Sequence, residues 1–152
     1  SDTLKLISER LVNHNIDINY DNRAFLQNHI KCQKNVMTQV ILSLITNAYE
    51  ELGNSRQDKG YNAAPDWIEV SGEVSGGNLI IKIIDSGRGI PKDVMYKIFE
   101  PFYTTKKEGN GTGLGLSMAQ QMVHRNDGDL YIDPGSVFTS FNIKLPLHDK
   151  VS

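Results

Sequence analysis

The chain has 152 residues, 39% hydrophobic and 22% charged, with a formal net charge of −2. These totals fit one soluble globular domain and exclude the basic footprint of a general nucleic-acid or anionic-membrane binder. Cys32 is the single cysteine, which excludes an intramolecular disulfide and a cysteine-based zinc cluster, and the apolar runs are too short to span a bilayer. The opening Ser1-Asp2-Thr3 carries no Met and no leader pattern, and reads as the start of a fragment of a longer protein.

In chain order, Leu4, Ile7, Leu11 and Val12 give residues 3–12 a helical spacing, and Ile16–Tyr20 and Ala24–Ile30 read as short strands. Residues 34–52 predict the main helix, because Met37, Val40, Ile41, Leu44, Ile45, Ala48 and Leu52 form one stripe at the 3.6-residue period. Gly53 and Asn54 are expected to stop it, and residues 53–66 to form a polar connector. Trp67–Val74 and Leu79–Asp85 predict a hairpin across Gly76-Gly77, followed by a short helical turn near Asp93–Phe99. A helix is expected over 114–125 and a closing hairpin from Leu130–Ile132 and Val137–Leu145. In the last strand Phe141, Ile143 and Leu145 face one way and Ser140, Asn142 and Lys144 the other. Together these predict an α+β two-layer sandwich: a mixed, mostly antiparallel sheet of about five strands, covered on one face by about three helices.

Three segments carry chemistry besides the glycine-rich run Gly109-Asn-Gly-Thr-Gly-Leu-Gly-Leu116, which opens a helix and suits a phosphate chain. Asp85 closes the apolar row Leu79, Ile81, Ile83, a costly place for a carboxylate without a donor. Either an adenine amino group satisfies it or Asp85 caps the turn Ser86-Gly87-Arg88-Gly89-Ile90. Asn47 sits at the rim of the main helix's stripe, where its amide is either solvated or a ligand for a hard cation. In Phe99-Glu-Pro-Phe-Tyr-Thr-Thr-Lys106, the aromatics anchor one end of a lid, or merely pin a surface loop, and Thr104, Thr105 and Lys106 are within reach of phosphate. The Walker and Rossmann glycine spacings are both missing, and the four histidines are scattered without metal spacing.

In this order and at these separations, the segments resemble the catalytic, ATP-binding domain of sensor histidine kinases, the Bergerat-fold superfamily shared with type II DNA topoisomerases, MutL proteins and heat-shock chaperones. Gln39–Ala48 is similar to that family's asparagine box, Asp85–Ile90 to its Asp-x-Gly-x-Gly box, Phe99–Lys106 to its phenylalanine box and Gly111–Leu116 to its second glycine box. The Phe-Tyr-Thr-Thr-Lys wording looks most like the nitrogen-regulation type. The resemblance covers nearly the whole chain. It implies a single catalytic domain over residues 1–152, with the dimerisation and phosphoacceptor domain lying before Ser1.

What the resemblance implies for the site is specific. Asn47 would bind Mg2+ and Asp85 would accept from the adenine amine, with Gly87 and Gly89 admitting the purine and Ile90, Ile84 and Ile45 packing around it. Thr105 and Lys106 would meet phosphate, and Gly111, Thr112, Gly113, Leu114, Gly115 and Leu116 would border the triphosphate and hinge a lid over 103–113 that is mobile without nucleotide. ATP and Mg2+ are the implied cofactors. The implied activity is protein-histidine kinase in two-component signalling, with no catalytic residue in the chain and no autophosphorylation by the fragment alone. The implied partners are the upstream domain and, through the full-length kinase, a response regulator. No nucleic acid or membrane contact is expected. The fragment is expected to be monomeric, its parent homodimeric and the location cytoplasmic, with membrane anchoring of the parent left open. A non-catalytic nucleotide-binding module and a hydrolytic ATPase are the alternatives. Two departures stand out: Ser43 occupies the position that is a general-base Glu in the hydrolysing relatives, and Arg125-Asn126-Asp127-Gly128 replaces a His-Gly-Gly-like turn.

Overall fold

The computed structural model describes residues 16–20, 34–59, 66–87, 89–103 and 115–147. Within them lie β1 (Ile16–Tyr20), α1 (Lys34–Lys59), β2 (Asp66–Ser75), β3 (Asn78–Asp85), α2 (Gly115–Arg125), β4 (Asp129–Ile132) and β5 (Thr139–Pro146). The strands form one five-stranded sheet in the order β1-β2-β3-β5-β4. β1 runs parallel to β2, and the remaining pairs are antiparallel. The expected helix over 3–12 and strand over 24–30 lie outside the described residues.

Local chemistry accounts for the elements. Gly76 and Gly77 both adopt positive φ, +57° and +77°, as a two-residue turn between the paired Ser75 and Asn78 requires. This fixes the β2–β3 register, so that Val70, Ile83 and Phe141 line up across three strands, as do Gly72, Ile81 and Ile143. Alternate residues of β3, namely Leu79, Ile81, Ile83 and Asp85, point to the buried face. Against it pack Val40, Leu44, Ala48 and Leu52 of α1 and Ala119 and Val123 of α2. Burying each large aliphatic side chain stabilises the fold by about 1.5–3 kcal/mol, so this layer dominates stability.

Two boundaries and one pattern of burial differ from the sequence reading. α1 continues past Gly53 and Asn54 to Lys59. A glycine inside a helix costs only about 1 kcal/mol relative to alanine, too little to end a helix already propagating. The last strand begins at Thr139 rather than Val137, because Asp133 organises the preceding turn. Its carboxylate accepts the Gly135 amide at 2.9 Å, leaving Val137 exposed at the tip. Ser140 and Asn142 do face away from the helices, yet they are buried, since β5 is an interior strand flanked by β3 and β4. The Ser140 hydroxyl donates to the Asn142 side-chain oxygen at 3.0 Å. The expected helical turn forms after Pro91, with the amides of Met95 and Ile98 reaching the carbonyls of Pro91 and Val94.

Candidate nucleotide site

Asp85 ends β3 between Ile68 of β2 and Thr139 of β5, and is only 2% exposed. Its Oδ1 accepts the Gly87 amide at 2.8 Å. Burial is the main cause that raises the carboxyl to about 6; the neighbouring carboxylates of Glu51 and Asp66 push the same way, against the Gly87 hydrogen bond. Turn capping is therefore real, but it occupies one oxygen. Among the described residues no side-chain polar atom is both sealed from solvent and unpaired.

The turn after Asp85 is fixed by hydrogen bonds and by glycines. The Ser86 amide donates to the Trp67 carbonyl and the Trp67 amide to the Ser86 hydroxyl, both at 3.0 Å, so the ladder is fastened just beyond the carboxylate. A Cβ on Gly87 would stand 2.7 Å from Asp85 Oδ1 and 3.8 Å from Leu52 Cδ2, so a side chain there would displace the Asp85 carboxylate. Gly89 has φ +80° and faces the Val137 carbonyl. Ile90 is half-buried against the core.

One side of α1 connects this corner to the start of α2. Ser43, Asn47 and Glu51 follow each other at intervals of one helical turn. Ser43 donates to the Gly115 carbonyl at 3.4 Å, Asn47 is half-buried, and Glu51 is an electrostatic neighbour of Asp85. Eight residues of helix span about 12 Å, a length suited to a molecule carrying a base at one end and phosphates at the other. The Glu51 carboxyl is itself raised by partial desolvation. Gly115, the first residue of α2, is exposed, and Leu116 is half-buried. The helix N-terminus there carries the positive end of the helix dipole.

Of the expected site residues, the fold brings Asn47, Asp85, Gly87, Gly89, Ile90, Gly115 and Leu116 to one end of the sheet and its helices. Thr105, Lys106, Gly111, Thr112, Gly113 and Leu114, with all but Tyr103 of the expected lid, lie outside the described residues. Ile98 is buried and Phe99 packs edge-on against Phe141 with ring centroids 6.2 Å apart, whereas Phe102 is 73% exposed at φ +67°. Anchoring therefore falls to Ile98 and Phe99, and Phe102, turned outward by its left-handed backbone, takes no part. Glu51, Asp66 and Thr139 escaped the sequence reading. Spacing from Asn47 could have flagged Glu51; the other two are brought to Asp85 only by strand register.

No three His, Cys, Asp or Glu residues among those described converge as a metal cluster. A cation here would rely on few protein ligands, as magnesium held with phosphates does. The half-buried amide of Asn47 offers a hard carbonyl oxygen of the type such an ion takes.

Residues 32–149 match the family described as histidine kinase-, DNA gyrase B-, and HSP90-like ATPase. The chain belongs to that family. The sensor kinase CckA of Brucella abortus is 32% identical over 151 residues, covering 94% of this chain and 16% of that protein. The sensory histidine kinase/phosphatase NtrB of Rhodobacter capsulatus is 34% identical over 117 residues, covering 75% and 32%. The chain thus spans less than a third of the length of these relatives. The catalytic domain of histidine kinase ThkA superposes with a TM-score of 0.74 at 24% identity, over 95% of this chain and 89% of that one; ThkA has also been solved in complex with the response regulator protein TrrA, with a TM-score of 0.70 at 21% identity over 99% and 40%. The ATPase family's α+β fold is therefore this chain's fold, and the sheet end just described is its candidate nucleotide site. No helix among the described residues is long and apolar enough to cross a membrane.

Proposed function

We propose that this domain binds Mg-ATP and donates the γ-phosphoryl group to a histidine on a separate dimerisation domain, within a two-component sensor kinase. The carrying observation is Asp85: a carboxylate buried at the end of an apolar strand, with its Oδ1 capped by the Gly87 amide and two glycines in the turn beside it. In this reading the carboxylate accepts the adenine amino group. Gly87 and Gly89 leave room for the ring and the half-buried Ile90 packs on it, whereas Ile84 points to the other face of the sheet and Ile45 is sealed in the core. Asn47 holds the magnesium ion, which when bound neutralises phosphate charge. Gly115 and Leu116 border the triphosphate from the α2 N-terminus. Thr105, Lys106, Gly111, Thr112, Gly113 and Leu114 complete the phosphate side and the lid.

Catalysis here is positioning and electrostatic stabilisation, since phosphoryl transfer asks for little covalent chemistry from the protein. The acceptor histidine belongs to the domain expected before Ser1, so the fragment alone does not autophosphorylate. Ser43 argues against hydrolysis: a hydroxyl is no general base for water, and it donates to Gly115 instead. The working location is the cytoplasm, where ATP is available, the parent is a homodimer, and a response regulator receives the phosphoryl group. Mixing the chain with Mg-ATP and a helical domain bearing a His-Glu or His-Asp acceptor tests this. Labelled phosphohistidine on the acceptor is expected. Binding of Mg-ATP without any transfer would instead favour a non-catalytic nucleotide module.

A further inference from the structure

Ser43 lies on α1 one turn before Asn47. Its hydroxyl makes a long, solvent-exposed hydrogen bond, donating at 3.4 Å to the main-chain oxygen of Gly115, which lies 72 residues further along the chain. Gly115 is the first residue of α2. In an α-helix that carbonyl accepts from the amide four residues on, here Ala119, and a second lone pair remains. Ser43 fills it. A Cβ on Gly115 would lie 3.6 Å from the Ser43 oxygen, an ordinary contact. Ala119, one turn into α2, is buried in the core that α1 and α2 share. The tie therefore joins the first residue of α2 to the body of α1, in two helices already packed deeper down.

We propose that Ser43 is a positioning residue whose hydroxyl ties the first turn of α2 to α1. It thereby fixes the amides of that N-terminus relative to Asn47, one turn along α1. A helix end without such a tie frays, because its terminal groups lack intrahelical partners. Here fraying would blur the spacing between the cation ligand and the phosphate-facing amides. The effect on ligand rests on the nucleotide reading above, whereas the tie itself is a property of the free protein.

Hydrogen exchange on the nucleotide-free chain separates the two. In Ser43→Ala the Ala119 amide, the first to bond within α2, is expected to exchange about threefold faster, as the loss of one modest hydrogen bond implies. The β3 amides should stay unchanged, and Ser43→Thr, which keeps the hydroxyl, should restore protection. In titrations, Ser43→Ala is expected to weaken Mg-ATP by about threefold and to leave adenosine binding as in the wild type. Unchanged exchange at Ala119 overturns the proposal whatever happens to nucleotide affinity. Faster exchange spread through β3 overturns it too, by showing general destabilisation. Faster local exchange with no Mg-ATP binding by the wild type upholds the tie and refutes the nucleotide reading.

Discussion

Asp85 is held by burial in a state that opposes the free fold once the carboxyl is ionised. Its carboxyl is raised to about 6 chiefly by burial, so the folded protein holds that proton more tightly than the unfolded chain. The sign follows: this group favours the fold while it is neutral and opposes it once ionised. As pH rises from the ordinary carboxylate range through about 6, it should remove about 3 kcal/mol of stability. Urea denaturation of the nucleotide-free protein between pH 4 and 8 is expected to show that loss in the wild type and not in Asp85→Asn, which should be the more stable protein at pH 8. Binding has the opposite dependence. An amine donates to the ionised carboxylate, so adenosine affinity should fall by about tenfold for each pH unit below about 6, as read by titration calorimetry. Gly87→Ala should lose adenosine binding, because its Cβ would press on Asp85 Oδ1 from 2.7 Å.

Helix α2 shows how an element carries strain away from its working end. Its C-terminus closes with the Gly128 amide on the Val123 carbonyl and the Asp127 amide on the His124 carbonyl, both near 3 Å (3.0 and 3.1 Å), around Asp127 at φ +61°. This is the two-bond cap normally centred on glycine. The unusual turn noted in the sequence therefore keeps the capping geometry, with Asp in the left-handed seat and the Asn126 side chain donating to the Met122 carbonyl at 2.8 Å. Asp127→Gly is expected to stabilise the protein by about 1 kcal/mol, measured by thermal unfolding, with nucleotide affinity unchanged because the cap lies at the far end of α2 from Gly115. Helix α1 carries the opposite lesson. Its apolar stripe was readable as far as Leu52, but its continuation to Lys59 was not, since a glycine is a weak stop signal for an established helix.

At the scale of the whole molecule, the sequence announced those parts whose chemistry is local. The Gly76-Gly77 hairpin, the stripe of α1 and the Asp85 turn each declare themselves within a few residues. Parts created by tertiary pairing stayed hidden. Thr139 meets Asp85 through the β3–β5 register, and β1 joins the sheet by a parallel pairing that no hairpin signal marks. Ser43 reaches Gly115 only because two helices pack together. Burial of Ser140 and Asn142 likewise depends on β5 lying inside the sheet, a matter of strand order rather than alternation. The fold assembles these pieces so that one edge of α1 links the corner at Asp85 to the helix end at Gly115, with Asn47 between; the proposed function puts adenine at the first and phosphates at the second. Calorimetric titration of Mg-ATP and of adenosine into the wild type, Asp85→Asn and Asn47→Ala tests that division most directly. Asp85→Asn should weaken both ligands by more than about tenfold, and Asn47→Ala should weaken Mg-ATP while leaving adenosine untouched. Equal affinities across all three proteins would contradict the account.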